Sequence, residues 1–241
     1  MTASASGAVA APLYPEERER LAALMGYDVL DTLPEAAFDD IVFLASVICE
    51  TPIALISLVD ESRQWFKARV GFELEETSRE AAFCAHAILQ PEEILVVPDA
   101  LEDPRFATNP LVTATPGIRF YAGVPLNNPQ GLPLGTLCTM DSVPRQLTAD
   151  QARALAALSR EVMVHLELRR TVTRLAGQLG DEGPGARALG GEVEEAGRAA
   201  ANASTKVAEA LEQVLEAEGR LRDLVYRMRS LQRQSLPHLP T

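Results

Sequence analysis

Ile53-Ala54-Leu55-Ile56-Ser57-Leu58-Val59 is apolar on both of its alternating faces. A half-buried strand alternates apolar with polar; one that is apolar on both sides belongs in the middle of a sheet with cover front and back. Asp60-Glu61-Ser62 follows as a turn, and residues 64–70 read as the hairpin partner, closed by Gly71. A central strand with a tight hairpin implies an antiparallel sheet, and the flanking sequence must supply its cover.

Upstream, Pro15-Glu16-Glu17 places a proline and two acids in a first helical turn, where they suit the positive end of the helix dipole. Gly26 stops that helix. A second is expected over 35–50, with Phe38, Ile41, Ala45 and Ile48 on one face and Thr51-Pro52 at its end. Downstream, 80–89 reads as a short helix carrying Phe83 and His86, and 94–97 as a strand. Residues 99–117 form a long polar loop with three prolines, of a length that often carries function. Residues 118–126 and 134–140 read as two further strands joined by a turn. Thr148 and Gln151 form a capping box that opens a long helix with Leu155, Leu158, Val162, Leu166 and Leu175 among its apolar positions. Helices, then strands, a helical crossover, more strands and a final helix make this an α+β fold built on one largely antiparallel sheet.

The remaining sequence has a different texture. Gly177, Gly180, Gly183, Gly185, Gly190 and Gly191 with Pro184 mark 177–191 as a hinge, because each interior glycine costs a helix about 1 kcal/mol. Over 192–234, Val207, Val214, Leu221 and Met228 recur every seven residues, with Leu211 and Val225 on the alternate seam. This is a partial coiled-coil pattern, interrupted by Glu218 and Gln232. Residues 1–14 are expected to be disordered and 235–241 to form a tail, leaving 15–176 as the folded domain.

Charge and composition narrow the function. Of 241 residues, 34 are acidic and 22 basic, a net of -12, and the first 170 hold 24 acids and 13 bases. So acidic a chain is a poor match for a nucleic-acid backbone. No apolar run approaches the roughly 18 residues of a membrane span, and the small, Ala/Ser-rich start lacks the basic and apolar regions of a signal peptide. Cys49, Cys84 and Cys138 have no paired spacing, which argues against a disulfide scaffold or zinc ribbon and fits a cytoplasmic protein. No metal site is expected: Cys84 and His86 are two apart, so on a helix they point to different sides. No Ser-His-Asp triad, paired carboxylates or phosphate-cradling glycine loop is present, so no catalytic residues and no enzymatic role are expected.

Seven stretches, in order and spacing, carry a resemblance. They are Met25-Gly26-Tyr27-Asp28-Val29-Leu30-Asp31-Thr32; residues 53–60; Phe83-Cys84-Ala85-His86-Ala87-Ile88; Val97-Pro98-Asp99-Ala100; Asp103-Pro104-Arg105-Phe106 with Asn109-Pro110; residues 118–126; and Gly135-Thr136-Leu137-Cys138 with Asp141. Together they resemble the GAF family of small-molecule sensors, in the subgroup found ahead of bacterial kinases, cyclases and phosphatases. The resemblance implies helices on one face of the sheet and a ligand cavity roofed by loops on the other. It does not name the ligand or cofactor, since GAF domains bind cyclic nucleotides, tetrapyrroles, haem, amino acids or nothing at all. Trp65, Phe83, His86, Asp103, Arg105, Phe106, Arg119, Tyr121 and Cys138 are the candidate ligand contacts. For Arg105 an anion-binding role competes with simply pinning the loop through Asp99 or Asp103. Cys84 and Cys138 read as buried packing residues, because a redox role calls for an exposed, activated thiolate.

Residues 231–240 resemble the linker that enters sporulation- and stress-type serine phosphatases. Residues 223–230 are similar to the dimerisation core of HWE-type histidine kinases, with Tyr226 and Ser230 where those kinases place His and Asn. The expectation is a non-enzymatic cytoplasmic sensor, a homodimer through its N- and C-terminal helices, signalling to a separate output protein, with a length that leaves no room for an output domain. The alternatives are a regulatory fragment of a serine phosphatase or histidine kinase, and a structural adaptor with a vestigial cavity. A filled core would favour the adaptor.

Overall fold

The computed structural model describes residues 7–180, with side chains to Leu175. These lie in the first of two units of the chain; the second, Arg187–Thr241, falls outside the described residues. The coiled coil expected at 192–234, the tail and most of the hinge therefore also fall outside them.

Two helices lead, α1 (Glu17–Met25) and α2 (Ala36–Cys49), followed by β1 (Ile53–Val59) and β2 (Arg63–Val70). A three-residue strand β3 (Glu76–Ser78) then passes through a 3-10 turn into the short helix α3 (Phe83–Ala87). Strand β4 (Leu95–Val97) and helix α4 (Pro110–Thr113) precede the long pair β5 (Phe120–Asn127) and β6 (Pro133–Asp141), and α5 (Ala149–Gly180) closes the described chain. The six strands are ordered β3-β2-β1-β6-β5-β4 and every pairing is antiparallel. Strand β1 sits inside the sheet between β2 and β6, as its two apolar faces require. Gly71, at φ +68, turns β2 away: a Cβ there would meet the Pro52 carbonyl oxygen at 2.0 Å.

One face of the sheet is covered by α2 and α5, which pack on each other and on β1, β2, β5 and β6. Phe38, Ile41, Val42 and Ala45 of α2 and Leu155, Val162 and Leu166 of α5 are buried there. A bulge between Ile56 and Ser57 skips Lys67 in the β1–β2 register. Lys67 is buried, and its Nζ donates to Thr32 Oγ1 (2.9 Å), the Leu33 carbonyl (2.7 Å) and Glu35 Oε1 (2.6 Å), which satisfies all three of its protons. The capping box forms as expected: Gln151 N–H donates to Thr148 Oγ1 at 3.2 Å and Thr148 N–H to Gln151 Oε1 at 3.1 Å. From there α5 runs unbroken to Gly180, beyond Gly177.

Around α1 a charge network replaces apolar packing. Arg20 is fully buried and donates to both oxygens of Glu17 (3.0 and 2.7 Å) and to the Pro133 carbonyl. Arg79 reaches the same carboxylate at 2.6 Å. Burial alone raises the Glu17 pKa, but the two guanidinium partners outweigh it and hold the group at about 2.

The opposite face carries α3, α4 and the 99–119 loop. Ala11 packs against this cluster, and the Val9 carbonyl accepts from His86. Val9 and Ala11 therefore lie against the roof, within the stretch 1–14 for which the sequence predicts disorder. Apolar Ala11 finds cover there, and a histidine on α3 offers a donor.

Candidate functional site

The site is the space between the sheet and its roof. Leu55 of β1, Phe66 of β2, Tyr121 of β5, and Cys138 and Met140 of β6 face the roof, and Phe83, Cys84 and Ala85 of α3 close onto them. Three rings make a continuous stack. Phe83 lies 4.1 Å from Phe106 with planes 12° apart, and 5.1 Å from Tyr121 at 26°. His86 meets Phe106 edge-on at 4.9 Å and its Nε2 donates to the Val9 carbonyl at 3.0 Å. Burial keeps the His86 pKa below its ordinary value, so the ring is neutral at pH 7. Gly123 makes the stack possible: a Cβ there would meet Tyr121 Oη at 2.1 Å.

The stack nearly fills the space. A gap of about 10 Å³ remains, bounded by Gln64, Phe72, Thr77, Phe83, Cys84 and Tyr121 among others, which is room for about one water. Beside it an open vestibule of about 400 Å³ lies between Arg63, β3 and the Pro110-Leu111 turn of α4. Thr77 and Leu111 border both spaces. Gln64 Oε1, Thr77 Oγ1 and Ser78 Oγ are buried here without a hydrogen-bond partner. Unpaired buried polar atoms cost about 1–3 kcal/mol each, so a polar molecule entering this passage would be met by three idle groups. The turn that forms the outer wall is fixed by Asn109, whose Oδ1 accepts from Leu111 N–H at 2.9 Å and whose Nδ2 donates to the Ala81 carbonyl at 3.0 Å.

The nine sequence candidates separate into two groups. Phe83 and Tyr121 line the gap, Cys138 lies behind Cys84, and Phe106 and His86 back the stack. The other four do not face it. Trp65 sits between gap-lining Gln64 and Phe66, so strand alternation turns it to the helix side, opposite Leu58. Arg105 is held by both oxygens of Asp103 (2.9 and 2.6 Å), so both residues are spent on loop pinning, the second of the two roles weighed for Arg105. Arg119 is likewise held by both oxygens of Asp99 (2.7 and 2.6 Å), ahead of β5. Gln64, Thr77 and Ser78 were not among the candidates. A polar residue in a hairpin strand gives no sign of which side of the sheet it faces, and β3 is too short to read from its pattern.

A second, larger groove of about 740 Å³ opens on the helix face between α5 and β5, lined by Val124, Pro125, Ala156, Met163 and Val164 with several polar residues. Among the described residues no group of three or more His, Cys, Asp or Glu could hold a metal ion, and no helix is long and apolar enough to cross a membrane.

A six-stranded antiparallel sheet, helices behind it and a roofed aromatic gap in front define a sensor-type α+β domain. The model of the GAF domain matches residues 33–166, and the chain belongs to the GAF domain family. It is 42% identical over 165 residues to a Pseudomonas aeruginosa protein named a cyclic di-GMP phosphodiesterase, a match that covers 68% of this chain and 28% of that protein. Among solved structures it is similar to the GAF domain of an Acinetobacter phosphoenolpyruvate-protein phosphotransferase (17% identity, 64% of this chain and 95% of that one, TM-score 0.46). It is also similar to the chromophore-binding domain of a bacteriophytochrome from R. palustris (12% identity, 66% and 64%, TM-score 0.45).

The match to the P. aeruginosa protein corrects the expectation of no enzymatic role. That expectation rested on the lack of a catalytic constellation within these 241 residues, whereas the relative's name belongs to a protein of which the match spans 28%.

Proposed function

We propose that this chain is the sensor part of a cyclic di-GMP signalling protein. A small polar ligand enters the vestibule between β3 and α4, engages Gln64 and Thr77, and spreads the Phe83 stack. The change passes through the sheet to α5, whose long continuous helix carries it onward. The single observation that supports this most is the set of idle buried oxygens on Gln64, Thr77 and Ser78 where the vestibule borders the gap in the core. The relative's name favours cyclic di-GMP turnover as the output over the serine-phosphatase or histidine-kinase linkage suggested by the last residues, which lie outside the described part. We place a second copy of the chain on the helix face, where Met25 of α1 and Val164 of α5 are exposed and the groove beside β5 is open.

Thermal unfolding of the chain with cyclic di-GMP, cyclic AMP, cyclic GMP and free amino acids tests the ligand step, because a ligand that binds only the folded state raises the midpoint. A rise with one compound, lost in Gln64→Leu, is the expected result. The near-filled core supports a second reading, an adaptor with a vestigial cavity that works by protein contacts alone. No rise with any compound, in a chain that light scattering shows to be dimeric, favours the adaptor.

A further inference from the structure

Behind the aromatic stack two thiols face each other. Cys84 Sγ of α3 and Cys138 Sγ of β6 are 3.9 Å apart, in a cluster of buried residues. Ser57 and Thr136 are directly paired across β1 and β6, and Leu55 is paired with Cys138 in the same ladder, so alternation brings Ser57, Thr136 and Cys138 to one face. The hydroxyls of Ser57 and Thr136 are buried and have no hydrogen-bond partner, and the Tyr121 hydroxyl donates to Cys84 Sγ at 3.4 Å. A packing cysteine in an apolar core needs none of this. One hydroxyl on the Cys84 sulfur and two idle ones on the sheet face that carries Cys138 form a polar pocket suited to a thiolate.

From this arrangement we infer that Cys84 and Cys138 form a reversible thiol–disulfide site that a peroxide-class oxidant closes. Cys84 is the attacking sulfur. Burial alone raises its pKa, but hydrogen bonding to its sulfur from Cys138 and the Tyr121 hydroxyl outweighs burial and lowers it, and the bond to Cys84 together with burial raises that of Cys138. Cys84 also borders the water-sized gap that Thr77 and Leu111 separate from the vestibule, which gives a small oxidant its route. The Cys84 thiolate attacks one peroxide oxygen; the O–O bond breaks, hydroxide leaves and takes a proton, and Cys84 becomes a sulfenic acid. Cys138 Sγ then attacks Cys84 Sγ; the S–S bond forms, the S–O bond breaks, and hydroxide leaves with the Cys138 proton as water. Two thiols lose two electrons and one hydrogen peroxide becomes two waters. A disulfide has its sulfurs about 2.05 Å apart, so the two sulfurs must approach, by side-chain rotation or by a shift of the five-residue α3. Phe83 is the first residue of α3, so a shift of that helix moves the ring stack that roofs the gap.

The test uses the full chain, fully reduced, then treated with hydrogen peroxide, unfolded and alkylated. The expected product is two hydrogens lighter than the reduced chain, takes one alkyl group at Cys49, and yields a linked Cys84–Cys138 peptide on digestion. Cys49 is the internal control: burial pushes its pKa up to about 11, so it should stay reduced while Cys84 reacts. In Cys138→Ser, dimedone should trap a sulfenic acid on Cys84; in Cys84→Ser it should trap none on Cys138. Three alkylated thiols after peroxide, Cys84 over-oxidised while Cys138 stays free, or a bridge that uses Cys49 would each overturn the inference. The wild-type masses decide it even if a serine variant fails to fold.

Discussion

Phe83→Ala removes the middle ring of the three-ring stack. Phe83 is 2% exposed and touches both Phe106 and Tyr121. Truncating a buried phenylalanine costs about 3–5 kcal/mol. The two ring contacts add about 0.5–1.5 kcal/mol each beyond burial, which places this site at the top of the range, about 4–5 kcal/mol. For a domain of this size each kcal/mol lowers the midpoint by about 2–4 °C, so a drop of about 10–15 °C is expected. Urea unfolding followed by circular dichroism should show a lower midpoint with an unchanged slope. The new void joins the existing small gap, so a benzene-sized apolar probe should recover part of the loss. Arg105→Ala is the reference: it removes a pair half-exposed to water and should change stability by less than about 1 kcal/mol. A Phe83→Ala cost under about 2 kcal/mol, well below the usual range for such a truncation, with no response to the probe, would refute the view that this stack closes the roof.

Glu17→Gln should cost about 3 kcal/mol at pH 7, because it leaves the buried Arg20 guanidinium without its anion. Glu17 sits at about 2 when folded and near 4.5 when unfolded, so its contribution is present in full above pH 4.5 and fades as pH falls toward 2; urea titrations at a series of pH values should show the wild type and the variant converging over that window. Tyr27→Phe removes a hydrogen bond from the start of the domain to Glu167 on α5; a loss of about 1.5 kcal/mol is expected, with faster hydrogen exchange in α5 around residues 163–171. Asn109→Ala removes both the cap of α4 and its tie to Ala81, so about 1–2 kcal/mol is expected, and limited proteolysis should find 105–115 opened first.

The strands that were legible were those the core reads twice. Ile53–Val59 shows its central place because both of its faces are apolar, and Thr148 with Gln151 shows where α5 begins because a cap needs those two residues at that spacing. Strand β3 was missed: Glu76-Thr77-Ser78 is polar, three residues long and held only by its pairing with β2. Helix 80–89 came out as a 3-10 turn and the five-residue α3, since Ala82 between them is extended. Phe83, Phe106 and Tyr121, three of the candidates, lie together in one buried ring stack. For Arg105 the sequence offered the pinning role alongside anion binding, and Asp103 is the partner it finds; Arg119 gave no such sign, because a charge beside a strand looks available until its partner, here Asp99, is seen. Gln64 was invisible because only the bulge at Lys67 sets which residues of β2 face the roof.

The central claim is that the passage from the vestibule past Thr77 to Gln64 holds a small ligand. The most direct measurement is native mass spectrometry of the chain purified from its own host, wild type beside Gln64→Leu. One small molecule per chain on the wild type, absent from the variant, is the expected result. A bare wild-type mass, or an adduct that the variant keeps, would contradict it.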